Sequence, residues 1–105
     1  MNKAMTQQTL EISDTFIHDF CTKWRIRELA LFGSVLGEAF RPDSDVDVLV
    51  SFLPDSGISL LDMVVMTEEL SEAFGRKVDL VEKEGLENPF LRRSILPNRK
   101  VIYAA

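Results

Sequence analysis

The run Asp45-Val46-Asp47-Val48-Leu49-Val50 constrains this chain more than any other stretch. An apolar, β-branched run of this length bounded by turn residues reads as a buried strand. Side chains alternate along a strand, so Asp45 and Asp47 project to one face while Val46, Val48 and Val50 project to the other, into a core. Two carboxylates held close by a rigid strand repel each other unless a cation sits between them. Hard cations such as Mg²⁺ take oxygen ligands and are commonly held by one or two carboxylates plus substrate phosphates, so the pair asks for that ion.

Upstream, Leu31-Phe32-Gly33-Ser34 closes another apolar strand, with ten residues between Ser34 and Asp45. Gly33 permits a turn and a close approach of backbone that a β-carbon obstructs. Ser34 suits a helix N-cap, and a helix N-terminus offers free N–H groups and a favourable dipole to a phosphate. A lone Gly-Ser is usually a turn, and a lone Asp-x-Asp is usually a solvated loop or helix cap. The joint pattern, with each half on its own apolar strand, points instead to a phosphate site beside a metal site.

The rest of the chain supplies elements to carry it. Thr6 to Trp24 predicts a first helix with Leu10, Ile17, Phe20, Cys21 and Trp24 on one stripe. Arg25 to Arg27 reads as a polar connection and Glu28 to Phe32 as the first strand. A brief helix near Ser34 must end before Pro42 and Asp43-Ser44, where Asp43 fits a turn role. Strand two runs from about Asp45 to Phe52 and ends at the turn cluster Pro54-Asp55-Ser56-Gly57. Ser59 caps a helix over Leu60 to Phe74, and Gly75 stops it. Lys77 to Glu82 predicts a third strand, with Val78 and Leu80 facing one way and Asp79 the other. An acidic loop over Glu82 to Glu87 leads to a helix opened by Asn88-Pro89, and Lys100 to Tyr103 reads as a final strand.

Two stretches keep two readings each. The Leu60 to Phe74 helix is apolar on more than one face at its start, which predicts either well-buried first turns or a contact surface for a partner or a second copy. Arg92, Arg93, Arg99 and Lys100 form either a solvated basic face or a source of contacts to a triphosphate or an acidic partner. His18 has no second His or Cys at ligand spacing and reads as a surface residue.

The 105 residues predict one domain over 1–105, and 46% hydrophobic with 28% charged residues is the balance of a soluble globular protein. A net charge of −5 makes a nucleic-acid polymer a poor partner. The single Cys21 excludes an internal disulfide and reads as a small buried hydrophobe. No apolar run has the length of a membrane span, and the first residues lack the apolar core of a signal peptide, so a cytoplasmic protein with no membrane partner is expected. Walker A and Gly-x-Gly-x-x-Gly patterns are absent.

Gly33-Ser34 and Asp45-Val46-Asp47, within Leu31 to Val50, resemble the G-S-x10-D-x-D signature of the polymerase β-like nucleotidyltransferases. The short chain is similar to their minimal branch over nearly its whole length. Many relatives carry Arg where this chain has Gly37, and often Gly where it has Glu38. The loss of that Arg removes a triphosphate contact and bears on nucleotide affinity rather than on the metal site.

The resemblance implies an α/β (α+β) fold, a mixed sheet of about four strands with helices on one face and the carboxylates on the other. It implies two Mg²⁺ ions, or Mn²⁺, held by Asp45, Asp47 and a third carboxylate, Asp79, with Gly33 and Ser34 gripping the phosphates of ATP. Asp79 otherwise reads as a surface acid on a strand edge. The expected reaction is two-metal transfer of AMP. Minimal nucleotidyltransferases resembling this chain pair with HEPN ribonuclease toxins and transfer AMP to a toxin tyrosine as antitoxins. The alternatives are an antitoxin that masks its toxin by contact alone, and nucleotidylation of a small molecule such as an aminoglycoside.

Overall fold

The computed structural model describes residues 12–33 and 45–105. Helix α1 spans Asp14–Lys23, where the Ser13 hydroxyl accepts from the Phe16 N–H at 3.2 Å, and Asp14 and Lys23 complement the two ends of the helix dipole. It buries Ile17, Phe20 and Cys21. Burial pushes the Cys21 thiol up to about 12, so it packs as an inert small hydrophobe, as expected. The start of the predicted helix, Thr6 to Glu11, lies outside the described residues.

Arg25, at a φ of 55°, reverses the chain into β1, Ile26–Phe32. The strand begins inside the stretch expected to be a polar connection. Ile26 is buried and pairs with Phe52, whereas Arg27 faces solvent, and an irregularity between Ile26 and Glu28 absorbs the change of pattern. After it come β2 (Val46–Phe52), α2 (Leu60–Phe74), β3 (Val78–Glu82), a 3₁₀ turn at Lys83–Gly85, α3 (Pro89–Ile95) and β4 (Lys100–Ala104). The sheet order is β3-β2-β1-β4, with β1 antiparallel to both β2 and β4, and β2 parallel to β3. The expected α/β mixed sheet of four strands is therefore what the chain builds.

Local chemistry sets the ends of α2. Ser59 and Asp62 form a reciprocal capping box at 3.1 and 3.0 Å, and Gly75 closes the helix in the left-handed region. Asn88 caps α3 by accepting from the Phe90 N–H at 2.8 Å, with Pro89 in its first turn.

Helices α1 and α2 cover one face of the sheet, around Ile17, Phe20, Leu29, Val48, Val50, Met66 and Leu70. The face carrying the carboxylates also holds a small apolar cluster, in which Ala30, Leu49 and Leu86 are packed by Phe32, Val81 and the end of α3 at Ile95 and Leu96. This is why Val48, Leu49 and Val50 are all buried, and why the run reads as continuously apolar.

On that second face Glu28 is held by two cations. Arg99 donates through Nε to its carboxylate, and the Lys83 ammonium lies 3.4 Å away. Arg99 also donates to the Leu96 carbonyl at 2.6 Å, and Arg92 to the Leu86 carbonyl at 2.9 Å. Two of the four clustered basic residues are thus committed to fixing α3 and the entry to β4. The Glu28 carboxyl is held below its ordinary value, chiefly by the Arg99 hydrogen bond. Its contribution to stability is present above the unfolded-state value of ~4.3 and is lost as pH falls through the lower folded value. Arg99→Met leaves the 14% exposed Glu28 side chain with Lys83 alone, and about 1–3 kcal/mol of unfolding free energy is expected to be lost at pH 7. Urea denaturation checks this, and the deficit should shrink as pH is lowered through 4. An undiminished deficit at pH 3 would assign the loss to packing of the arginine stem instead.

Candidate active site

The N–H of Val46 donates to the Lys77 carbonyl at 2.9 Å and starts a parallel ladder that pairs Val46 with Val78 and Asp47 with Asp79. Paired residues of neighbouring strands share a face, so the Asp47 and Asp79 side chains rise together while Val46 and Val78 are buried beneath the strands. Asp45 precedes β2 by one residue and is exposed, as is Asp79.

On the other flank, β1 places Phe32 opposite Asp47, and the chain turns at Gly33 with φ +78°. A β-carbon at Gly33 would overlap the Asp47 carboxylate oxygen and lie 3.2 Å from its carboxyl carbon. The missing side chain is what lets the carboxylate rest against the turn. From the sequence Gly33 is expected to permit a turn and a close approach of backbone, not to form the wall that seats Asp47.

Asp47 is half-buried, and its carboxyl is raised above the ordinary aspartate range, first by burial and then by the charges of Asp79 and Asp45. The structure thus brings Asp47, Asp79 and Asp45 into one electrostatic neighbourhood with Gly33. The charges that act on Asp47 are those of the two neighbouring carboxylates. Among the described residues no three His, Cys, Asp or Glu side chains converge into a ready-made metal cage. That arrangement fits a hard cation drawing only part of its oxygen shell from the protein and the rest from phosphate and water. Ser34, Gly37, Glu38 and Asp43 lie outside the described residues. His18 is exposed beside Asp19 at 3.5 Å and takes no part.

Residues 13–102 match the nucleotidyltransferase domain family. The chain belongs to that family. This nucleotidyltransferase domain is similar to the protein adenylyltransferase MntA of Thermococcus cleftensis, 40% identical over 82 residues that make up 77% of each chain. Its fold is similar to a chain of a toxin-antitoxin crystallised with AMP-PNP, with a TM-score of 0.72 and 18% identity over 90% of this chain and 75% of that one. It is likewise similar to a chain of the tri-AMPylated Shewanella oneidensis HEPN toxin in complex with MNT antitoxin, with a TM-score of 0.63 and 17% identity over 88% of this chain and 70% of that one. Among the described residues no helix is long and apolar enough to cross a membrane.

Proposed function

We propose that this nucleotidyltransferase transfers AMP from ATP to a protein hydroxyl, a tyrosine of a HEPN-type toxin, and so acts as its antitoxin. The carrying observation is the Asp47–Asp79 register pair with Asp45 beside it, three carboxylates in one electrostatic neighbourhood. The 40% identical relative named as a protein adenylyltransferase supports AMP as the group transferred, and the similar complex holding an AMPylated HEPN toxin supports the acceptor.

In this reading Asp45, Asp47 and Asp79 would hold the Mg²⁺ ions that accompany the triphosphate. Bound ions of this kind neutralise phosphate charge and acidify the attacking hydroxyl. The chain's own residues supply position. β2 and β3 fix Asp47 and Asp79 in register, and the Gly33 turn seats Asp47; the family resemblance assigns Gly33 and Ser34 to the terminal phosphates. The tyrosine hydroxyl loses its proton to solvent, its oxygen forms a bond to the α-phosphorus, the bond from that phosphorus to the bridging oxygen breaks, and pyrophosphate leaves with the electron pair. Rigid strands hold the carboxylates before substrate arrives, which is the kind of preorganisation that lowers a barrier.

A turnover experiment tests the reading against its rival, an antitoxin that masks by contact. With ATP and Mg²⁺, a tenth of an equivalent of this chain should inactivate the toxin completely, and intact-mass spectrometry should show added AMP. EDTA should abolish both results. Neutralisation that needs one equivalent and ignores ATP would establish masking.

A further inference from the structure

Leu60, Leu61, Val64 and Val65 are 86, 77, 53 and 42% exposed. Of the two readings of this helix start, buried first turns are therefore wrong. The reason is periodicity: α2 meets the core through Met63, Met66, Leu70 and Phe74, which leaves residues 60, 61, 64 and 65 on the opposite side. The fold gains nothing from four large aliphatic groups there, and contiguous exposed apolar surface of this kind marks interaction sites.

The patch continues into a cavity of about 470 Å³ whose lining includes Leu60, Met63, Arg27, Asp55, Glu82 and Glu84. This cavity sits at the far end of β2 from Asp47, six residues or roughly 20 Å along the strand. Its rim is acidic. Asp55, Glu82 and Glu84 outnumber Arg27, the one cation among the lining residues. Along α2 the apolar turns give way to exposed Glu68 and Glu72, four and eight residues beyond Val64 on the same side of the helix.

We infer that the exposed face of α2 and the adjoining cavity form a docking surface for a protein partner that presents an amphipathic helix, apolar along its centre and flanked by Lys or Arg. Such a helix lays its apolar face along Leu60, Leu61, Val64 and Val65 and sets its cations against Glu68, Glu72 and the acidic cavity rim. Charge disfavours the other occupants. A second copy related by a twofold axis brings acidic rim against acidic rim. An anionic membrane surface or a nucleic acid meets the same repulsion in a chain of net charge −5.

The inference stands on exposure and charge and does not need the AMP-transfer reading. Two labelled synthetic helical peptides test it, each with leucines along one face, one flanked by lysines and the other by glutamates. Fluorescence anisotropy with the full chain at physiological salt should show the lysine peptide binding at least tenfold more tightly. Leu61→Gln with Val64→Gln should weaken it at least tenfold, and Glu68→Lys with Glu72→Lys should do the same. All four positions are exposed, so circular dichroism and the melting temperature should stay at wild-type values. Asp45→Asn should bind the peptide normally, so a failed transfer assay leaves this result unaffected. Equal binding of the two peptides, binding of neither, or wild-type self-association abolished by the Leu61 and Val64 changes would each overturn the inference.

Discussion

Asp47→Asn is expected to lower AMP transfer by more than the ~10–100-fold typical of residues that merely support a metal ligand, while raising the melting temperature of the nucleotide-free protein. The two effects have one cause. Asp47 is half-buried, and its carboxyl is raised by burial first and by the charges of Asp79 and Asp45 second. A carboxyl with a raised folded-state value holds its proton more tightly folded than unfolded. Stability therefore falls as pH rises from the ordinary aspartate range, ~3.9, through the raised value, and it stays lower above it. At neutral pH the ionised group costs stability, and the isosteric, uncharged amide removes that cost.

Addition of Mg²⁺ and ATP should reverse the order. A ligand that binds only the folded state stabilises it in proportion to RT ln(1 + [L]/Kd), so wild type should gain thermal stability where Asp47→Asn does not. Differential scanning fluorimetry at pH 7, with and without the nucleotide, reads both arms, and a radiolabelled transfer assay reads the chemistry. Full transfer by the variant would remove Asp47 from the mechanism. A lower melting temperature in the nucleotide-free state would show that Asp47 is a structural acid.

What could be read from the chain in advance was local. Ser59 and Gly75 mark both ends of α2, and Asn88-Pro89 marks the start of α3, because caps are satisfied by residues within three or four positions. The alternation that sends Asp47 away from Val46 and Val48 is likewise a property of a single strand. The register that sets Asp47 beside Asp79 is not, since a parallel pair is joined by a whole helix and its alignment is decided by packing of α2. Arg99 lies 71 residues from Glu28, so nothing near it in sequence distinguishes a solvated cation from one that fixes a chain crossing. The apolar start of α2 was ambiguous for the same reason. Its residues are apolar on more than one face, and only the position of the sheet selects Met63 and Met66 for the core over Leu61 and Val64.

Gly33→Ala is expected to reduce AMP transfer by about 100-fold or more, through Asp47 rather than through the backbone. Two effects coincide at this position. The φ of +78° strains any residue with a β-carbon, at a cost of ~1–3 kcal/mol, and the added methyl overlaps the Asp47 carboxylate. The carboxylate must swing away, and a displacement of ~1 Å in a positioning group is enough for a loss of 10²-fold. Gly75 separates the two effects. Its φ is +68°, but nothing lies within 4 Å of where a β-carbon would be, so Gly75→Ala carries the strain without the collision. It should lose only the stability that the backbone strain costs and keep its transfer rate. The collision can also be isolated in the Asp47→Ala background, where there is no carboxylate to strike. There Gly33→Ala should cost only the backbone strain, and urea unfolding of the two single variants and the double variant should reveal a coupling energy between residues 33 and 47. Additive costs, or a Gly75→Ala variant as inactive as Gly33→Ala, would mean that the turn matters for its backbone alone and that Asp47 is seated by other contacts.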